Sequence, residues 1–102
     1  MDNKKIELIE KLKYHQFIEN EEEGNRLIEF IEFFRNCNDI KSFWCCFNLW
    51  FKRDEKCSYL GISTPTFYAL DKSIVSDDVN VSLKLINRVK LLYELLKWYV
   101  EV

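Results

Sequence analysis

Two glycines, Gly24 and Gly61, and a single proline, Pro65, are all that 102 residues contain of the two residue types on which tight turns most depend. A fold of many short strands needs such residues at most of its reversals, whereas helix ends can be capped by Asn, Asp, Ser or Thr. Helices are what remains, and the apolar pattern agrees. Ile6, Leu8, Ile9, Leu12 and Phe17 recur at helical spacing from a cap at Asp2 to about Asn20. Glu21, Glu22, Glu23 and Gly24 read as a break, after which Asn25 opens a second helix through Leu27, Ile28, Phe30, Ile31, Phe33 and Phe34. That helix is apolar on more than one face, which suits a central position. Asp39 can cap a third helix through Phe51, whose Phe43, Trp44, Phe47, Leu49 and Trp50 are too bulky and too evenly spread for a one-sided surface helix.

Lys52 to Lys56 either extends the third helix or starts another after a bend. Asp71 to Asn80 reads as a loop with candidate caps at Ser73, Ser76, Asp77 and Asp78. The last helix carries Leu83, Leu85, Ile86, Val89, Leu92, Leu95, Leu96 and Tyr99 in a broad apolar band. The expected fold is therefore all-α, a compact bundle of about five helices forming one domain over 1–102. Its N-terminal helices lie within 3–36, a helix-turn-helix-like segment over 54–72 and a C-terminal helix over 80–101. Phe30, Phe34, Phe47, Trp50, Leu60, Phe67, Leu92 and Leu96 are expected in or near the core. A weak echo between Asn25-Arg26-Leu27 to Arg35 and Asn87-Arg88-Val89 to Lys97 suggests two similar helical motifs with a groove between them. The alternative is that two amphipathic helices written in the same residues look alike.

Apolar residues make up 48% and charged residues 31% of the chain, the profile of a soluble globular protein. The run Phe43 to Phe51 is broken by Asn48 and too short to cross a bilayer, and MDNKKIELIEKL lacks the apolar stretch of a signal peptide. No membrane partner and a cytoplasmic location are expected. Aromatics at 16% exceed what a small core readily hides, so an exposed aromatic surface would mark an interface.

Enzyme chemistry finds little to stand on. The one histidine, His15, sits on an amphipathic helix, and Gly24 and Gly61 are isolated rather than part of a phosphate-cradling loop. Cys37, Cys45, Cys46 and Cys57 include no Cys-x-x-Cys pair and read as small apolar groups rather than as disulfides or zinc ligands. No catalytic residue, metal or cofactor is expected.

The segment Tyr59 to Leu70, YLGISTPTFYAL, has the grammar of a helix, a glycine turn and a second helix. Cys57 and Leu60 can face inward before Gly61, and Ile62, Phe67 and Leu70 are spaced to close over them. Ser63 or Thr64 can cap the second arm, and Pro65 suits its first turn. The segment resembles the helix-turn-helix of excisionase-like and Xre-type regulators of phages and mobile elements, in which LGIS, two variable residues and TFY or TVY recur. The resemblance is confined to about residues 56–72. It implies a small regulator that binds double-stranded DNA, with Lys52, Arg53, Lys56 and Lys72 on phosphates and Thr64, Thr66 and Tyr68 facing the groove. In those families a base commonly follows the triplet; here Ala69 stands there. NRVKLLYELL resembles the helix that follows the motif in antitoxins of the Xre/MbcA/ParS group, which also bind protein.

Charge argues the other way, since 15 Lys and Arg stand against 17 Asp and Glu, a net of −2, whereas phosphate contacts come from a basic face. A second reading follows: a protein or peptide interaction module working through aromatic surface or the inter-motif groove. A homodimer is compatible with either.

Overall fold

The computed structural model describes residues 3–77 and 81–101, and within them the chain forms six α-helices and no strand. The cap expected at Asp2 and the segment 78–80 lie outside the described residues. The helices are α1 (Asn3–Tyr14), α2 (Glu21–Phe33), α3 (Ile40–Trp50), α4 (Arg53–Leu60), α5 (Thr64–Ser76) and α6 (Leu83–Val100). Long, apolar α6 packs against α1, α2, α3 and α5 and so organises the bundle, with Leu92 and Leu96 wholly buried. The radius of gyration, 13.1 Å, is that of a compact chain of this length. Among the described residues no helix is long and apolar enough to cross a membrane.

Three expected boundaries move. The first helix stops at Tyr14, because the backbone turns through a left-handed Gln16 (φ 62°) and only then buries Phe17 and Ile18. The glutamate run is no break but the first turn of α2. Asn20 caps it by accepting from the Glu23 amide at 2.9 Å, and the Glu23 carboxylate accepts from the Glu19 amide at 2.7 Å. Three carboxylates at a helix N-terminus meet the positive end of its dipole, which is where they stabilise most. Gly24 then lies inside α2, where a Cβ would stand 3.0 Å from Ile18 Cδ1 and 3.1 Å from Ile9 Cγ1, so its bareness lets α2 approach α1.

The third change is at Asp71 to Asn80, where α5 continues to Ser76 instead of ending at a loop. Ser73 and Ile74 are buried there, and tertiary packing overrides the run of turn-forming residues. Asp39 caps α3 as its position suggests, accepting from the Ser42 amide at 2.8 Å, and that bond holds its carboxyl below the usual aspartate range. Lys52 is the bend after which α4 begins.

The core is aromatic where α2 and α3 meet. Phe30 lies within 5.3 to 6.3 Å of Phe34, Phe43, Phe47, Trp50 and Phe51, mostly tilted or edge-on, the favoured arrangement of ring quadrupoles. Phe30, Phe47, Leu60, Phe67, Leu92 and Leu96 are buried, and Phe34 and Trp50 pack half-buried against them. α3 nevertheless has an outward face, with Cys45 and Leu49 exposed, and α2 leaves Phe33 exposed. All four cysteines are free thiols.

The two echo helices, α2 and α6, are packed neighbours in one bundle rather than the walls of a groove. Lys97 Nζ donates to the Arg35 carbonyl at 2.7 Å, and Arg35 donates to the Val100 carbonyl at 3.1 Å. The arginines of the two Asn-Arg pairs also correspond in role. Arg26 lies over the Phe51 ring and pairs with Glu55 at 2.7 Å, while Arg88 lies over the Phe17 ring.

Candidate nucleic-acid interface

α4 and α5 are joined by three residues, Gly61 to Ser63, and α3 packs on both helices. The turn is built on Gly61, left-handed at φ 67° and ψ 38°. Its amide donates to the Ser58 carbonyl at 3.2 Å and the Ile62 amide to the Cys57 carbonyl at 3.0 Å, the Schellman pattern that satisfies the last carbonyls of α4. Ser63 occupies the N-cap position of α5 in extended conformation, but its hydroxyl bonds the Thr66 hydroxyl at 2.9 Å rather than a backbone amide. Pro65 sits in the first turn, where no amide hydrogen is missed. Gly61→Ala should lower stability by about 1–2 kcal/mol through backbone strain alone, since a Cβ there meets open space. A thermal melt would show a fall of roughly 5–15 °C, part of it recovered in Gly61→Asn.

α5 is amphipathic across this unit. Phe67, Leu70 and Ile74 turn inward, while Pro65, Tyr68, Lys72 and Val75 form an exposed stripe at helical spacing. Tyr68, Ala69, Asp71 and Lys72 line an open depression of about 490 Å³. Arg53 at the start of α4 reaches across to the Tyr68 hydroxyl at 3.5 Å, with Asp54 at the same distance from its Nε. Lys52, exposed, is one residue away at the α3–α4 corner. Thr64 is the first residue of α5 and half-buried.

Two of the seven expected contact residues are placed elsewhere. Lys56 is only 8% exposed, and its ammonium donates to Asn48 Oδ1 at 3.0 Å and to the Asn48 carbonyl at 3.4 Å, above the Phe67 ring. Burial pushes its pKa down, and the Asp71 carboxylate opposes that shift. Thr66, two positions from Tyr68 on a helix of about 3.6 residues per turn, points nearly the opposite way and is held by Ser63. Lys52, Arg53, Thr64, Tyr68 and Lys72 remain at the surface or its edge, within the α4–α5 unit or at its entrance.

Two structural groups were not foreseen. Asp71 Oδ1 accepts from Trp44 Nε1 at 2.7 Å and from Asn48 Nδ2 at 3.2 Å, so Asp71, Asn48 and Lys56 form a chain of alternating charge and amide that ties α5 and α4 to α3. Asn48 was the legible signal: one amide inside an otherwise apolar, bulky run implies a buried partner. Arg88, on α6, donates to the carbonyls of Leu60 at 3.1 Å and of His15 and Gln16 at 2.9 Å each. Compared with protein-family models, curated proteins and solved structures, the chain matches none.

Proposed function

We propose that the chain is a small, non-enzymatic DNA-binding protein in which α3, α4 and α5 act as a helix-turn-helix and the outer stripe of α5 meets the duplex. The supporting observation is the Gly61-turned helix pair together with an α5 whose outward stripe stays exposed while its inner face is fixed to α3. In this reading Arg53 and Lys72, with Lys52 beside them, hold phosphates, and Thr64 and Tyr68 lie toward the groove. Lys56 and Thr66 take no part.

The electrostatic footprint is thin, which makes the reading testable in number as well as in kind. Three cations give a slope of log K against log salt of at most about −2.7 for one copy on duplex DNA. Titration of random duplex against the full chain at several salt concentrations should return that order of slope. Lys72→Ala should weaken binding uniformly across sequences and flatten the slope by about 0.9. Absence of binding at low salt and micromolar protein would rule this reading out.

A protein-interaction role is the second reading, favoured by the exposure of Phe33 and Leu49, at 69% and 79%, beside half-buried Trp50. Binding through such a surface would be nearly indifferent to salt.

A further inference from the structure

Phe33 touches Trp50 and Phe34, with ring centroids 5.2 and 4.9 Å apart, so the end of α2 and the end of α3 share one aromatic surface. Leu49, next to Trp50, extends it, and Cys45 lies one turn back on the same outward face of α3. The other exposed large apolar groups stand on α1 (Ile6, Tyr14), α5 (Tyr68, Val75) and the start of α6 (Leu83). We infer that a second copy of the chain docks on the α2–α3 face, about a two-fold axis through the Phe33, Leu49 and Trp50 surface.

Area is the first argument. Phe33 and Leu49, exposed at 69% and 79%, offer on the order of 250 Å² between them, given roughly 150–250 Å² for a large side chain. The half-buried Phe34, Trp50 and Cys46 and the exposed Cys45 raise this to about 400 Å². A stable interface takes about 800 Å² from each partner, about two thirds of it apolar in a homodimer, or roughly 520 Å². The surface therefore supplies most of the apolar share of a dimer, with the polar remainder coming from its rim.

Charge is the second. A two-fold interface lays each residue near its own copy, so like charges at the centre would repel. The centre here carries none: Lys41, at the far end, is the only charged residue of α3, and it is bound to Asp77 at 3.1 Å. Both signs stand at the rim, Glu29 and Glu32 on α2 and Lys52 at the α3–α4 corner. Among the described residues these three make no ion pair within the chain. The third argument rests on the DNA reading: one copy brings about three cations to a duplex, whereas the proteins that bind duplex DNA with steep salt dependence bring about six to ten. Two copies, with Lys52 kept at the protein rim, bring four from Arg53 and Lys72, nearer that range.

Sedimentation equilibrium of the full chain, without DNA and up to hundred-micromolar concentrations, tests the surface separately from the DNA reading. The expected mass is twice the 12.4 kDa of one chain. Leu49→Lys and Phe33→Glu, both on exposed positions, should each return the single-chain mass with helical circular dichroism unchanged and a melting temperature that no longer rises with protein concentration, while Leu83→Lys should leave the dimer intact. A single-chain mass for the wild type at the highest concentration overturns the inference, and so does a dimer that survives both α2–α3 substitutions. Should either variant fail to fold, the milder Leu49→Ala and Phe33→Ala decide: a dimer dissociation constant raised at least about tenfold supports the inference, and an unchanged one overturns it. If the dimer forms and duplex DNA is not bound, the docking surface stands and the DNA reading falls.

Discussion

Replacing Arg88 with methionine is expected to lower stability by about 3 kcal/mol. Its guanidinium serves three backbone carbonyls from two distant segments, His15 and Gln16 in the α1–α2 turn and Leu60 at the end of α4, and stacks 4.1 Å from the Phe17 ring centroid. Hydrogen bonds from a charged donor contribute roughly 1.5–3 kcal/mol each. The site is half-buried, and water reaching the released carbonyls offsets part of the sum, which sets the figure well below three full bonds. Methionine keeps the stem and removes only the donors, so the loss reports the carbonyl contacts rather than a cavity. Thermal melting should show a fall of roughly 12–24 °C. Lysine should recover less than half, because one ammonium cannot span three carbonyls as a planar fork does. Faster amide exchange at residues 15–17 should accompany the loss; a variant that melts with the wild type would mean the three bonds are replaceable by water.

Arg88 also shows where the sequence runs out. Its position on an amphipathic helix marks it as a surface base, and nothing in the spacing of NRVKLLYELL says that a loop more than 70 residues earlier offers carbonyls to it. The helices themselves were legible because few glycines and prolines and a 3.6-residue apolar period leave little else. Asp39 as a cap and Gly61 as a left-handed turn were legible for the same reason: each satisfies a local backbone need. The misplaced boundaries share a cause. At Glu21 to Gly24 and at Asp71 to Ser76, residues typical of loops are used inside helices, by a dipole in the first case and by burial of Ser73 and Ile74 in the second. Within the expected contact set, helical geometry alone separates Thr66 from Tyr68. The withdrawal of Lys56 depends on a fold-level meeting of α3 with α4.

That meeting carries the other large expected effect. Asp71→Ala should cost about 2–4 kcal/mol, because Trp44 Nε1 and the Asn48 amide lose their shared acceptor and the Lys56 ammonium loses the carboxylate that opposes its desolvation. Lys56→Met should cost about 1–2 kcal/mol, because the Asn48 side-chain oxygen and carbonyl lose their donor while the buried charge is removed and an apolar side chain of similar length fills the place above the Phe67 ring. The double variant should then lose less than the two single variants added, as the unopposed buried charge is gone; chemical denaturation of the four proteins closes the cycle. The same pair bears on function. Lys56→Met should leave the salt slope of any DNA binding unchanged, whereas a slope flattened by about 0.9 would return Lys56 to the phosphate set and show that the chain rearranges when it binds. Asp71→Ala works through another route. With α5 released from Trp44 and Asn48, binding should weaken although the exposed stripe of Pro65, Tyr68, Lys72 and Val75 is untouched. The salt slope should hold, because no phosphate contact has been removed. A loss of affinity at constant slope is what a helix held in position for reading requires, and a helix that merely displays charge would not produce it.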